Sequence, residues 1–244
     1  MFHQLSVITK KEFASYFRSP TAYIIIAVYL VISMFATFYS GYFFAYDNSG
    51  LVSFFTYQPE IFVVLTPAVT MRLWADERRS GTMEFLLTQP LNYSTVVIAK
   101  FLAACLFCWA MLLLTLPFVF YAATLIPLDK MNIFSGYLGV ILVIAYLCAL
   151  GCLVSVFNTN AVLAYLFSVF VGWLLTSFSF DFLLAPLLNF SETITNRLSQ
   201  SLNFYRNYQD MIMGQPGIDN LTYFLSFTLL VLWLNVAAID YKKL

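Results

Sequence analysis

Few side chains in this 244-residue chain have the types and spacing that enzymes or metal sites require. Four cysteines occur in two pairs, Cys105 with Cys108 and Cys148 with Cys152, each inside a long apolar run. At helical spacing within such a run, cysteine behaves as a small hydrophobic residue. Because His3 is the single histidine, a histidine-based metal site is strongly disfavoured. We interpret the cysteines as packing residues rather than as metal ligands or redox groups.

Composition defines the environment in which these side chains must be placed. Hydrophobic residues make up 61% of the chain and charged residues only 10%, with a mean hydropathy of +0.83. A soluble domain carries about 25% charged residues, so a soluble enzyme, a disordered protein and a secreted disulfide scaffold are all excluded. The formal net charge is zero, which gives no overall field favouring nucleic acid as a partner. The chain is therefore predicted to be an all-α polytopic membrane protein.

Six apolar stretches have the length of membrane spans, for which about 20 mostly apolar residues are needed. The charge-free run 131–180 is too long for one crossing, and the polar turn Asn158–Asn160 divides it into two. The third span contains Pro117, which predicts a kink near its far end. The predicted spans within one transmembrane domain (1–244) are 21–44, 56–74, 95–126, 133–157, 161–180 and 221–239.

The basic residues near the span ends predict the orientation. Nine lie on one side and three, Lys130, Arg197 and Arg206, on the other. The side with nine basic residues is predicted to be cytoplasmic, and it carries both termini. Its members are Lys10, Lys11, Arg18, Arg72, Arg78, Arg79, Lys100, Lys242 and Lys243.

The N-terminal residues 1–18 predict an amphipathic helix lying on the membrane surface. Phe13 and Phe17 belong to its apolar half, whereas Lys10 and Lys11 fall on the basic half that would face anionic headgroups. Glu12 and Val7 do not fit this pattern, and Pro20 ends the helix before the first span. The segment is either an interface element that meets a cytoplasmic partner or a passive anchor.

The longest stretch outside the spans lies between spans five and six. Apolar residues at spacings of three and four predict an amphipathic or re-entrant helix on the outer leaflet rather than a soluble domain. They are Phe190, Ile194, Leu198, Leu202 and Tyr205.

The segment 75–90 after span two combines charges with apolar residues. Gly81 tolerates the left-handed conformation that ends a helix. Thr82 can then cap a second, short helix, with Glu84 in its first turn and Pro90 limiting its length. The pattern favours a compact helix on the cytoplasmic surface. The alternative is a solvated loop that only enforces topology.

This segment, together with the residues before it, resembles the ABC-2 type permease family of ABC transporters. The matching residues are Thr66–Arg72 (Thr-Pro-Ala-Val-Thr-Met-Arg), Glu77–Pro90 and Lys100-Phe101. Within the family, the chain looks most like the gliding-motility-type permease subunit. Lys10–Phe13, Ser19-Pro20 and the six-span layout extend the resemblance over the whole chain.

The resemblance implies a permease subunit of the bacterial inner membrane that hydrolyses nothing itself. Two such subunits, identical or paralogous, would pair above two cytoplasmic ABC ATPase subunits, which bind ATP and Mg²⁺ and drive export or extrusion of an unidentified substrate. The segment 75–90 would be the coupling helix, supported by the N-terminal helix, and the segment before span six would lie at the extracytoplasmic mouth, where an auxiliary protein could bind. The residues implied to contact the ATPase are Glu77, Arg78, Arg79, Gly81, Thr82, Glu84, Phe85, Leu86 and Pro90, with Lys10, Lys11, Phe13 and Phe17 on the interface helix.

Two other classes of function share this composition. An intramembrane enzyme needs partnered acids, bases or nucleophiles, but Glu60 and Asp181 lie near span ends without a histidine beside them. A non-transporting assembly or mechanotransmission subunit would have no reason to carry the series up to Pro90. The chain has no Gly-x-x-x-x-Gly-Lys-Ser/Thr motif, which agrees with an ATPase on a separate chain.

Overall fold

The computed structural model describes residues 2–40, 50–81, 92–125, 129–177 and 203–241, and these residues form helices without any strand. A π-helical turn, Ala36–Ser40, continues the second helix. The described helices are α1 (Phe2–Phe17), α2 (Pro20–Phe35), α3 (Gly50–Thr56), α4 (Gln58–Thr70), α5 (Arg72–Arg79), α6 (Tyr93–Leu113), α7 (Leu116–Leu125), α8 (Lys130–Phe157), α9 (Ala161–Ser177), α10 (Phe204–Ile212) and α11 (Ile218–Tyr241).

Five helical stretches in the described ranges are long and apolar enough to cross a membrane. They are Pro20–Tyr39, Leu51–Arg79, Tyr93–Ala122, Lys130–Phe157 and Ile218–Tyr241. The chain is therefore a multi-pass membrane protein. At the position of the predicted fifth span, the described part of α9 covers 17 residues and reaches the edge of the described range, so the count of six spans stays a prediction.

The helical stretch that contains the predicted second span consists of three successive helices. It runs over Leu51–Arg79, whereas the apolar residues alone gave bounds of 56–74. Hydropathy ends a span at its first charges, but backbone hydrogen bonds continue through the charged α5 as far as Gly81, whose N–H donates to the Arg78 carbonyl. Gly81 has φ 72°, the left-handed conformation predicted for it.

The third span is interrupted close to Pro117, where the sequence predicts a kink. Helix α6 ends at Leu113 and α7 begins at Leu116, with Pro117 as its second residue. Thr115 at the break donates its hydroxyl to the Leu112 carbonyl at 2.6 Å and lies 3.0 Å from the Tyr137 hydroxyl. The break is thus held by side-chain hydrogen bonds.

Helix α8 forms the centre of the bundle, packed against α4, α5, α6, α9, α10 and α11. Its apolar residues surround the axis, as expected of a helix buried within a bundle. At Gly151 the α4 side chain of Thr70 occupies the place where a Cβ atom would project. This contact brings α4 and α8 closer than larger side chains would permit.

The N-terminal helix lies along α6. Ser19 follows it as the N-cap of α2, accepting a hydrogen bond from the Thr21 N–H, and Pro20 occupies the first position of α2. Proline is favoured there because that residue's N–H has no partner within the helix. Helix α1 therefore ends just before the first span begins.

Helix α10 precedes the last span and packs on α8 and α11. The predicted surface helix, Phe190–Tyr205, falls mostly outside the described residues. In the described part, Phe204 and Tyr208 are buried and Tyr205 is 56% exposed. The surface helix over Phe190–Tyr205 stays a prediction.

Candidate functional site

A buried lysine joins three elements at the end of the bundle where α5 leaves it. Lys100 lies on the second turn of α6 with its side chain 3% exposed. Its ammonium Nζ donates to Glu12 Oε1 of α1 at 3.0 Å and to Glu77 Oε1 of α5 at 2.7 Å. A third hydrogen bond goes to the Leu73 carbonyl at 3.0 Å. We call Glu12, Glu77 and Lys100 the ion cluster.

The ion cluster satisfies the donors of the ammonium completely. A lysine ammonium has three N–H donors, and each has an acceptor here. The Trp74 ring lies below it, with its centroid 5.1 Å from Nζ, a distance at which the ring face attracts a cation. Two carboxylates surround one ammonium, so the cluster keeps a negative charge. Glu12 and Glu77 are 24% and 22% exposed, so both carboxylates are only partly accessible.

Helix α5 is also fixed to α8. The Ser155 hydroxyl at the end of α8 accepts from the backbone N–H groups of Trp74 and Ala75 at 3.1 and 3.3 Å. It donates to the Met71 carbonyl at 3.0 Å. One hydroxyl thereby satisfies polar backbone groups at the junction of α4 and α5, where the regular helical pattern is broken. We call this set of hydrogen bonds the serine clamp.

The charged residues predicted to contact a partner differ in their surroundings. Glu77 points into the ion cluster, and Arg78 donates from Nη1 to the Val156 carbonyl at 2.8 Å, so both hold α5 in place. Arg79 and Gly81 are exposed at the end of α5. The other predicted contacts, Thr82, Glu84, Phe85, Leu86 and Pro90, lie outside the described residues.

The N-terminal helix contacts the bundle through aromatic side chains. Tyr16 stacks on Phe107 of α6 with ring centroids 5.0 Å apart, and Phe17 meets the same ring edge-to-face at 5.6 Å. Burial raises the pKa of the Tyr16 hydroxyl, which stays protonated and donates to the Val69 carbonyl at 3.3 Å. Phe13 packs against the core.

Lys10 and Lys11 lie on the exposed side of α1. The helix therefore has the two faces that its sequence predicts. Glu12 does not fit the amphipathic pattern of the sequence, and in the structure its carboxylate turns toward Lys100.

A cavity of about 320 Å³ opens beside the ion cluster, between α1, α2, α5 and α6. Its wall includes all three members of the cluster together with Arg72 and Asp76 of α5. Apolar side chains from the first turns of α2 close the other side. The cavity is thus amphipathic.

The four cysteines are buried and free. Among the described residues, no group of three or more His, Cys, Asp and Glu side chains could hold a metal ion. Glu60 lies exposed in the first turn of α4, and Asp181 is outside the described residues.

Sequence reasoning did not identify Lys100 as part of a site. It counted this residue among the basic charges and among the residues that carry the family resemblance, although a lysine inside a predicted span was itself a usable signal of a site. Glu12, which does not fit the amphipathic pattern of the N-terminal helix, was a second indication of a site. Ser155 gives no signal in the sequence, since a serine in an apolar helix is common.

Comparison with known proteins assigns these helices to a family. The family model described as "ABC-2 family transporter protein" matches residues 6–239, almost the full chain. The chain belongs to the ABC-2 transporter family. No curated protein matches it.

Membership in the ABC-2 family makes the chain a membrane component of an ABC transporter, the permease subunit. It also implies association with an ABC ATPase and with the membrane. The resemblance seen in the sequence is confirmed at the level of this family.

Proposed function

We propose that this ABC-2 permease subunit receives the motion of its ATPase through α5 and the segment 82–90, and passes it to the bundle through the ion cluster. The observation that supports this is the position of Lys100, which binds α1, α5 and α6 together where the chain leaves the bundle. A displacement of α5 cannot occur without moving Glu77, and hence Lys100 and α6.

The serine clamp provides a second connection. It fixes the start of α5 to the end of α8, the central helix of the bundle. The ion cluster and the clamp attach the same short helix to different neighbours. A force on α5 would therefore be divided between α6 with α1 on one side and α8 on the other.

In this proposal the residues beyond α5 make the contact with the ATPase. Arg79 and Gly81 are exposed at its end, and Thr82, Glu84, Phe85, Leu86 and Pro90 follow. Mixed charges would fit the rim of such an interface, and the apolar side chains would supply its buried centre. Glu77 and Arg78 would position this segment, and the exposed Lys10 and Lys11 of α1 would add basic contacts beside it.

The complete transporter would contain two permease subunits, identical or paralogous, and two cytoplasmic ATPase subunits that bind ATP and Mg²⁺. It would lie in a bacterial inner membrane with both termini of this chain in the cytoplasm, and would export or extrude its substrate. The series from Thr66 to Pro90 supports placing the subunit in the gliding-motility type. An auxiliary extracytoplasmic protein would contact the segment before α11.

A charge reversal at Glu84 tests the proposal. If this residue docks into the ATPase, Glu84→Lys should leave the permease folded and inserted but release the ATPase during purification. Reversal of a charge in such an interface costs about 2–5 kcal/mol, which corresponds to an affinity loss of at least about 30-fold. The measurement is the amount of ATPase that co-purifies, together with ATP hydrolysis by the complex.

Asp219→Lys is the matched control. Asp219 is also an acid in the first turn of a helix, α11, but it is exposed and lies far along the chain from α5. This variant should retain the ATPase. If Glu84→Lys and Asp219→Lys both assemble and transport normally, the segment 82–90 is a topological loop and the coupling proposal is wrong.

A further inference from the structure

The cavity beside the ion cluster lies at the level of a membrane surface. Ser19, Thr21, Ala22 and Ile25 line one side of it, and they belong to the start of the first span. Val69, near the end of α4, lines it as well. The cavity is bounded by the first turns of α2 and by the last turn of α4, where the charged α5 begins. This position matches the depth of phospholipid headgroups, at which an amphipathic helix such as α1 also lies.

The charges in its wall have both signs. Three carboxylates, Glu12, Asp76 and Glu77, face two cations, Arg72 and Lys100, which leaves one negative charge in excess. All three N–H donors of Lys100 already have acceptors in Glu12, Glu77 and the Leu73 carbonyl. Within the part of the chain that the structure describes, the ion pairs are those of Lys100 with Glu12 and with Glu77. Arg72 and Asp76 form no ion pair there.

Arg72 and Asp76 lie on the same face of α5. They are four residues apart, so their side chains are neighbours along about one helical turn of 5.4 Å. Both are exposed at the mouth of the cavity. An arginine offers planar donors that match a phosphate, and a carboxylate accepts hydrogen bonds from an ammonium. Together they present a cationic and an anionic group to a ligand at a fixed separation.

Apolar side chains form another part of the wall. Ala22 and Ile25 continue it along α2 toward the membrane interior, and Phe107 closes it from α6. The outer side of α2 next to it is exposed, with Ile24 at 62%. A ligand with a zwitterionic head and a hydrocarbon tail would find matching surfaces in this order, from the membrane surface inward.

We propose that the cavity binds the headgroup of a phospholipid that carries both a phosphate and a free ammonium, as phosphatidylethanolamine does. The phosphate binds Arg72, the ammonium binds Asp76 and the excess charge of the ion cluster, and the first part of an acyl chain lies on Ile25. The volume of about 320 Å³ is at the small end of the range of ligand pockets, which suits a headgroup.

Other common lipids fit less well. An anionic headgroup without an ammonium would bring more negative charge to a wall that already has an excess. A choline headgroup carries three methyl groups on its nitrogen and cannot donate a hydrogen bond to a carboxylate. The inference does not rest on the coupling role, since it requires only that α2 and α4 cross the membrane.

Native mass spectrometry of the purified full chain tests the assignment. The protein is equilibrated in detergent with equal amounts of phosphatidylethanolamine, phosphatidylcholine and phosphatidylglycerol, and the lipids that remain bound are counted. We expect one phosphatidylethanolamine per chain to be retained in preference to the other two. Asp76→Asn should lower its retention roughly 3- to 10-fold, as expected for the loss of one partly exposed charged hydrogen bond.

Two matched pairs of variants separate the cavity from the general lipid surface. Ile25→Trp fills the cavity, whereas Ile24→Trp places the same side chain on the exposed side of α2. Asp240→Asn removes an exposed acid at the end of α11, away from the cavity. Only Ile25→Trp and Asp76→Asn should lose the lipid.

Equal retention of the three lipids, preference for phosphatidylglycerol, or unchanged retention in folded Ile25→Trp and Asp76→Asn would overturn the proposal. If Ile25→Trp does not fold, the comparison of Asp76→Asn with Asp240→Asn decides. ATPase binding is not part of this measurement, so its outcome is separate from that of the Glu84→Lys experiment.

Discussion

The ammonium of Lys100 is removed from water but keeps a full set of acceptors. Two carboxylates and the Leu73 carbonyl receive its three N–H groups. A buried charge is tolerated only when it is paired and hydrogen-bonded, and the Trp74 ring adds a further favourable contact. The position of α1 against α5 is therefore fixed by an interaction that strongly depends on geometry.

Replacement of Lys100 by methionine should destabilise the protein. Lys100→Met keeps the length of the side chain but leaves Glu12 and Glu77 close together without a cation. Removing one partner of a buried ion pair costs about 3–5 kcal/mol, and the partial exposure of both carboxylates places this variant toward the lower value. The measurement is thermal unfolding in detergent, where the midpoint should fall clearly below that of the unmodified protein.

The neutral cluster is the control. Combining Glu12→Gln, Lys100→Met and Glu77→Gln removes all three charges, and this variant should recover most of the loss. A Lys100→Met protein as stable as the unmodified one would contradict the structural role of the cluster.

At the residue scale, the sequence marked one of the three members of the ion cluster as unusual. Glu12 breaks the amphipathic pattern of α1, which marks it as a residue with a specific partner. The partner lies 88 residues away in the chain, and no local pattern gives the relative positions of α1 and α6. The resemblance implied that Glu77 contacts the ATPase, and nothing in the sequence indicated that its carboxylate accepts a hydrogen bond from the buried Lys100.

At the scale of the elements, α5 is short and is held mainly by contacts with its neighbours. Isolated helices of such length are not stable in water. The eight residues of α5 gain their order from the ion cluster, the serine clamp and the Arg78 hydrogen bond. Loss of one of these connections should loosen α5 without unfolding the bundle.

Ser155→Ala should produce this effect. The substitution leaves the buried N–H groups of Trp74 and Ala75 without their acceptor, at a cost of about 1–3 kcal/mol. Amide hydrogen exchange in residues 71–79 should accelerate. Ser135→Ala is the control, because Ser135 is equally buried on α8 and its hydroxyl bonds only to its own helix. If residues 71–79 are equally protected from amide hydrogen exchange in both variants, the serine clamp does not stabilise α5.

The contact between α4 and α8 at Gly151 allows a second comparison. Gly151→Ala places a methyl group on the Thr70 side chain, and overpacking of this kind costs about 1–3 kcal/mol. Gly172→Ala on α9 meets its nearest atom, Leu147 Cδ2, at an ordinary 3.5 Å. Thermal unfolding should therefore separate the two variants, with only Gly151→Ala destabilised. Identical midpoints would show that α4 and α8 can move apart at no cost.

The positions of the helices could largely be predicted from the sequence, because hydrocarbon thickness sets the length of an apolar run. The division of the second span into α3, α4 and α5 could not be predicted from the sequence. Tyr57 and Met71 separate α3, α4 and α5, yet both are apolar enough to continue a hydropathy segment. Pro117 was more informative, since the restriction on proline acts on the backbone itself.

At the scale of the whole molecule, a buried central helix leaves the outer helices to face the surroundings. Large apolar side chains are exposed on α2, α9 and α11, including Val31, Phe170 and Trp233 at 68%, 59% and 69%. These faces would be covered by lipid or by the second permease subunit of the proposed assembly. The end of the bundle with the ion cluster carries the charged α5 instead.

The orientation can be checked by cysteine labelling in intact cells. Ser80 and Gln215 are both exposed, and the basic residues predict that Ser80 lies inside and Gln215 outside. An impermeant thiol reagent should therefore label Gln215→Cys and spare Ser80→Cys until the membrane is opened. The four native cysteines are buried and should contribute little background. The opposite pattern of labelling would show that the predicted orientation in the membrane is wrong.

The order of synthesis gives the ion cluster a place in the biogenesis of the protein. Glu12 and Glu77 leave the ribosome before Lys100, so the lysine enters the membrane when both of its carboxylates are already present. A nascent chain that ends after α6 contains every acceptor of the ammonium. Ser155 is made later, with α8. The translating chain can thus close the ion cluster first and add the serine clamp second, so that the end of α5 is fastened in two stages while the rest of the bundle is still being made.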